Sequence, residues 1–322
     1  MQNSPGRSGS LYRFVLRRSA WAIPTVALVT ILVFLVFEML ADPAANELGI
    51  HATPRALAEL RKELGLDRPL TVRAAHQLLS LLQGELGISR YHGHPVLTLL
   101  LDGLGPTLSY AVPGFALASA SSVVGGLFAA RLDGGAIDRV LGFFSTILVS
   151  SSSLLIVLIA HSLLTHTMPL FPVSWPLTAT GSESTSLSHI QLPTLLWALL
   201  QFGPDFRHYR ALFVEASSAP HFDAMRARGL PGSRIFFHQL RFCAAPVCAR
   251  LGHRLPHLLA GSVVIEYVFN IPGIGLLMAD ALHGVDLPLM QGLALTLTVG
   301  TIVAQLGSDL IAGVLDPRMR HW

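Results

Sequence analysis

Apolar and polar residues follow one another along this chain in long blocks. Apolar runs occupy Trp21–Leu40 and about 106–130, 139–164, 190–212, 247–269 and 290–314. Each is close to the roughly twenty residues that a helix needs to cross a hydrocarbon core of about 30 Å. The pattern predicts an all-α, polytopic membrane protein with six transmembrane helices. Between the first and second runs lies the polar segment 42–104. Within it, Thr53-Pro54 supplies a helix cap and a first-turn proline, Leu57, Leu60 and Leu64 line one face, and Gly65 closes the helix. Arg55, Arg61, Lys62 and Arg68 are offset there by Glu47, Glu59, Glu63 and Asp67, as in a small mixed-charge helical segment outside the membrane.

A second polar block, Glu215–Pro246, carries Arg226, Arg228, Arg234 and Arg241 against Asp223. It is too long to be a mere connection, because helix-to-helix links are typically much shorter and long loops tend to carry function. Ala216–Arg228 predicts a short amphipathic helix, Gly229 stands where a C-cap needs positive φ, and Pro231-Gly232 enforces the break that follows. The block reads as a docking element. Arg13, Arg17, Arg18, Arg131, Arg139, the docking-block arginines, Arg318 and Arg320 fall on one side of the predicted spans, whereas 166–189 and 270–289 carry no Lys or Arg. The positive-inside rule places the docking block and both termini in the cytoplasm. The expected organisation is a cytoplasmic tail 1–18, a first span 19–41, an extracytoplasmic segment 42–104, a five-helix core 105–314 with its cytoplasmic loop at 213–246, and a tail 315–322.

Composition agrees with the membrane reading: 52% hydrophobic, 13% charged and a mean hydropathy of +0.56, against about a quarter charged in soluble domains. Arg13, Arg17 and Arg18 before Trp21–Leu40 resemble a secretory leader, yet no small-x-small cleavage site precedes Asp42-Pro43, so an uncleaved first span is expected. The net charge of +3 is small and scattered, which argues against nucleic acid as a partner. Cys243 and Cys248 build no disulfide framework and read as buried thiols.

The only lysine is Lys62, outside any GxxxxGK[ST] loop, so ATP-driven work needs a separate ATPase subunit. No HExxH zinc site or serine elbow supports an enzyme. Among fourteen histidines, His92, His94, His161 and His166 lack cysteine or carboxylate at ligand spacing, so no metal site is expected. Ser150–Ser153 and the group Ser119, Ser121, Ser122, Gly125 and Gly126 read as small residues for close helix packing. Gly203-Pro204-Asp205 interrupts the fourth span, as a structural kink or as a hinge beside a pore. In the fifth, Arg250, His253, Arg254 and His257 share one helical stripe. Two readings stay open: the arginines snorkel to the interface, or the stripe lines a translocation path for an anionic solute.

The chain resembles a known family at residues spread from end to end. Glu215-Ala216-Ser217, then Gly229 and Pro246, are similar to the docking loop of the membrane subunits of bacterial ABC importers. Leu64–Leu70, Gly84–Ser89, Pro106–Leu108, Glu266–Gly275 and Leu315–Arg318 resemble landmarks of the peptide/nickel branch, in order. The resemblance implies a type I permease in the bacterial inner membrane that moves a small peptide or a nickel or metal chelate by alternating access. It implies a second homologous permease, two cytoplasmic ATPase subunits that hold ATP and Mg, an extracytoplasmic solute-binding protein and membrane lipid as partners, with no cofactor in this chain. Carried onto this sequence, the ATPase-coupling residues are Glu215, Ala216, Ser217, Asp223, Arg226, Arg228 and Gly229. Arg207 and Arg210 match family arginines, and Glu266 matches an acid expected to brace Asn270–Gly275. Gly203-Pro204-Asp205 and the Arg250–His257 stripe depart from the pattern, the family being more apolar at several stripe positions. An ion-coupled secondary transporter of a small anionic solute is the alternative. It would need mid-membrane protonatable residues and an internal repeat, and neither is evident.

Overall fold

A computed structural model describes residues 24–33, 35–36, 53–63, 67, 69–70, 72–73, 79–80, 83–167, 170–171, 175, 187–255, 257–258 and 263–315. Among these the structure is helical, and the only β-type pairing is an isolated bridge between Ile88 and Pro95. In chain order the helices are α1 (Pro24–Val33), α2 (Pro54–Glu63), α3 (Val96–Arg131), α4 (Ala136–Ser150), α5 (Ser153–His161, running into a π-turn at Ser162–Thr167), α6 (Leu187–Ser217), α7 (Pro220–Ala227), α8 (Gly232–Arg254), α9 (Val263–Phe269), α10 (Ile274–His283) and α11 (Leu287–Leu315). The predicted tail 1–18, residues 316–322 of the predicted tail 315–322, Leu64 and Gly65 lie outside the described residues.

By length and apolar content, α3 and Leu287–Ser308 of α11 suffice to cross a membrane. The two pairs α4–α5 and α9–α10 pass the same test only when taken together, bent by 101° and 86°. The continuous third span expected over 139–164 is therefore corrected: the chain turns at Ser151-Ser152, where Ser152 takes an extended backbone ahead of α5. Hydropathy misses this break because the residues on both sides are apolar. The expected fifth span is also divided, since α8 starts at Gly232, ends at Arg254, and is followed by the separate α9. By contrast α6 stays helical through Pro193 and Pro204, with no break at Gly203-Pro204-Asp205.

The α3–α6 pair is the most extensive helix pairing among the described residues. Small residues permit it: a Cβ added at Gly126 would lie 2.8 Å from the Arg210 backbone nitrogen, and Ser122 Oγ donates to the Phe202 carbonyl at 3.4 Å. Of the Ser119–Gly126 group, Ser122, Gly125 and Gly126 thus serve packing, which in a bilayer comes from close van der Waals contact rather than water exclusion. Three buried clusters follow. Tyr110, Ala118, Leu196, Trp197, Ile265 and Phe269 join α3, α6 and α9. Val96, Leu100, Ile274, Leu289 and Leu293 join α3, α10 and α11. Ala130, Tyr209, Phe213, Ala216 and Cys243 join α3, α6 and α8 at the end that carries α7. Phe143, Val140, Val303 and Leu101 are 60–71% exposed, an apolar exterior of the kind that lipid or a partner covers.

Candidate functional site

The docking block is built from the end of α6, the short α7 and the start of α8. Ala216 and Ser217 do not open the amphipathic helix expected over Ala216–Arg228. They form the last turn of α6, because Ala216 packs into the buried cluster with Phe213 and Cys243. Glu215 in the same turn is exposed. The turn is tied to α8 by Gln239, whose Nε2 donates to the Phe213 carbonyl at 3.0 Å and to Ser217 Oγ at 2.5 Å.

After a break at Ser218-Ala219, Pro220 occupies the first turn of α7, where its missing N–H costs nothing and its fixed φ suits the helix. Asp223 in that first turn complements the helix dipole and pairs with Arg226 at 2.8 Å on the exposed side. Phe222 is 1% exposed and anchors the helix, edge-on to Phe242 of α8. The helix closes as the glycine at position 229 predicts. Gly229 has φ +73°, its N–H bonds to the Arg226 carbonyl at 2.9 Å, and the Leu230 N–H reaches back to the Met225 carbonyl at 3.3 Å. These are the two bonds of a Schellman motif. Asp223, Arg226, Arg228 and Gly229 all face outward, beside a cleft of about 460 Å³ whose walls include Leu127, Arg131, Arg226 and Phe236. Cys243 is buried and Cys248 half-buried, and both are free.

Next along α6, arginines fasten it to α4. Arg210 reaches Asp138 with two nitrogens, at 2.5 and 2.7 Å, and Asp133 at 2.8 Å. Arg207 donates to Thr146 at 2.8 Å and to Ser145 at 3.2 Å, and Ser145 in turn donates to the Gly203 carbonyl at 2.8 Å.

One turn further, two features that looked unrelated in the sequence meet. Asp205, 6% exposed, accepts from Arg254 Nη2 at 2.6 Å and faces Arg250 Nη2 at 3.5 Å, while Arg254 Nη1 reaches Gln201 at 3.3 Å. The polar break in α6 and the cationic stripe of α8 are therefore partners across a helix crossing, and the arginines turn towards α6.

At the opposite end two buried carboxylates hold loops. Glu266 Oε1 accepts from Thr107 and Tyr110, each at 2.8 Å, and Oε2 accepts from the backbone N–H of Gly275 and Leu276 at 2.7 and 3.0 Å. It braces Asn270–Gly275 and caps α10. Asp286, which the sequence did not single out, accepts from Ser89 Oγ at 2.5 Å, the Tyr91 N–H at 3.0 Å and the Leu289 N–H at 3.2 Å. His92, in turn, lies 3.7 Å from Asp280.

Residues 122–321 match the family described as binding-protein-dependent transport system inner membrane component, and residues 11–111 match the N-terminal component of the same systems. This chain belongs to that family. The permease is 32% identical over 310 residues to a probable peptide ABC transporter permease of Sinorhizobium fredii, covering 96% of this chain and 99% of the relative. It is 30% identical to the dipeptide transport system permease of Escherichia coli K12, covering 97% and 99%, and 31% identical to a putative peptide transport system permease of Brucella abortus, covering 95% and 98%. It is an ABC importer permease of the peptide branch, a polytopic helical membrane protein and a transport subunit. Permeases of this family work with an ATPase and a substrate-binding protein.

Proposed function

We propose that this permease carries small peptides into the cytoplasm by alternating access, driven through α7 by a separate ATPase. The observation that carries this reading is the mounting of α7. It is short, anchored by one buried phenylalanine, closed by a defined turn at Gly229, and set between the last turn of α6 and α8, which Gln239 ties to each other. A push on Glu215, Ala216, Ser217, Asp223, Arg226, Arg228 and Gly229 would move two long helices together. In this reading α1, α3, α4–α5, α6, α8–α9 and α11 are the six spans, the α7 end and both termini are cytoplasmic, and 42–104 is extracytoplasmic.

The complex would hold a second homologous permease, two ATPase subunits with ATP and Mg, and an extracytoplasmic binding protein. Small peptides are favoured over nickel or metal chelates because the relatives' names specify peptide or dipeptide. The test is reconstitution of the whole complex in proteoliposomes. Uptake of a radiolabelled dipeptide is expected to require ATP and the binding protein. Uptake driven by an ion gradient alone would establish the secondary-transporter alternative instead. Ser217→Cys, in a background without the native cysteines, is expected to resist impermeant thiol reagents in intact cells, and its labelling would overturn the orientation.

A further inference from the structure

The α6–α8 crossing has a side that its ion pairs leave open. Asp205 and Arg254 are largely enclosed, 6% and 13% exposed, but Arg250 keeps 31% of its side chain open. His208 on α6, His253 in the last turn of α8 and His257, three residues past its end at Arg254, are exposed in the isolated chain, so the one helical stripe expected for Arg250, His253, Arg254 and His257 is cut after Arg254. His208 and His257 lie within electrostatic range of Arg250, Arg254 and Asp205.

One carboxylate thus faces two guanidiniums, and no other carboxylate among the described residues lies within ion-pair distance of either. The Nε atoms of Arg250 and Arg254 are buried without an acceptor. Such a surface is costly against hydrocarbon, so its open side meets a watery passage or another protein surface. Its charge selects an anion.

We propose that His208, Arg250, His253 and His257 line the translocation path and receive a carboxylate of the passing peptide, so that the permease favours acidic peptides over neutral ones of equal size. This rests on the importer reading above. Arg254 is held from behind by Asp205 and Gln201, which leaves Arg250, with its looser 3.5 Å contact, as the cation offered to the passage. A cation in a site poor in water attracts a carboxylate more strongly than it would in bulk solvent. The Asp205 charge tempers that attraction. A transported group must leave as well as enter, and a site with a single surplus charge satisfies both needs better than two bare arginines would.

The experiment compares initial ATP-driven uptake of Ala-Glu and Ala-Gln by the complete complex in proteoliposomes. Because every variant uses the same binding protein, that protein's own preference cancels. Losing one charge-assisted contact should lower the Ala-Glu to Ala-Gln ratio about tenfold in Arg250→Gln. Arg250→Lys should hold the ratio near the wild-type value, and His257→Gln, on the exposed edge, should lower it by a smaller factor. Should Arg250→Gln fail to assemble, His257→Gln and a His208→Gln/His257→Gln pair provide the same reading. Equal loss of both peptides, or an unchanged ratio, overturns the proposal and makes the patch a structural joint or a seat for an acidic residue of the partner permease. Failure of the wild-type complex to take up either peptide removes the peptide-importer reading, and this inference with it.

Discussion

The two ends of the molecule both use buried carboxylates, but they do so with opposite partners. At the α10 end, Glu266 and Asp286 accept from hydroxyls and backbone N–H groups, so each holds the main chain directly through short, stiff donors. At the α7 end, Asp138 accepts from Arg210, and Asp205 accepts from Arg254 and faces Arg250, long side chains that join whole helices. A carboxylate on backbone N–H groups has one working geometry. A carboxylate on an arginine meets a planar, rigid guanidinium carried on a long rotatable stem, and the stem can follow a small helix shift without the bond breaking. On the proposed lever-driven mechanism, the α10 end would act as a frame and the α7 end as a set of joints.

The sharpest way to break this contrast is at Glu266. Glu266→Ala would strand two hydroxyls and two N–H groups in a buried site, and at about 1–3 kcal/mol for each orphaned donor the expected loss exceeds about 4 kcal/mol. The recovery of monodisperse protein from detergent should collapse, and near-normal recovery would contradict the rigid-frame account. At the other end, Asp205→Ala is expected to cost about 3 kcal/mol by leaving the largely enclosed Arg254 unpaired. In a double-mutant cycle with Arg254→Ala, thermal unfolding should show the double variant better off than the sum of the singles by about 1–3 kcal/mol.

Arg210→Lys keeps a charge but loses the two-nitrogen grip on Asp138, at about 1–2 kcal/mol. The joint account expects ATP consumed per peptide to rise more than folding suffers, measurable as hydrolysis against uptake in proteoliposomes. The smallest expected effect is at Gly229. A Cβ there meets nothing within 4 Å, so Gly229→Val costs only the strain of φ +73°, about 1–2 kcal/mol. Transport and ATPase stimulation should nonetheless fall together while membrane insertion remains normal. Unimpaired uptake at matched expression would separate α7 from the drive.

Much of this was legible in the chain. Long apolar blocks give helices and Gly229 announces a left-handed turn, because each signal is local, while the brace at Glu266 came from the family resemblance. What stayed hidden depends on direction or on distance. The chain turns by 101° at the four-serine run Ser150–Ser153, which read as small residues for close packing because the flanking residues on both sides are apolar. Ala216 reads as the start of an amphipathic helix until packing on Phe213 and Cys243 assigns it to α6. Asp205 and Arg254 lie 49 positions apart, so neither could be read as the other's partner. The polarity of Gly203-Pro204-Asp205 looked like a kink for that reason.

Asp286 imposes an order on biogenesis. Ser89 and Asp286 are separated by 197 positions, so the fold around residues 84–95 cannot close until almost the whole chain has been made. At roughly 5–20 residues per second, that interval is about ten to forty seconds. Through it, the turn Gly84–Pro95 must wait with its partners unmade, open to proteases and quality-control factors on its side of the membrane. A chain truncated before Asp286 would carry that unclosed turn permanently, and the cell would meet the defect there, far from the missing residues.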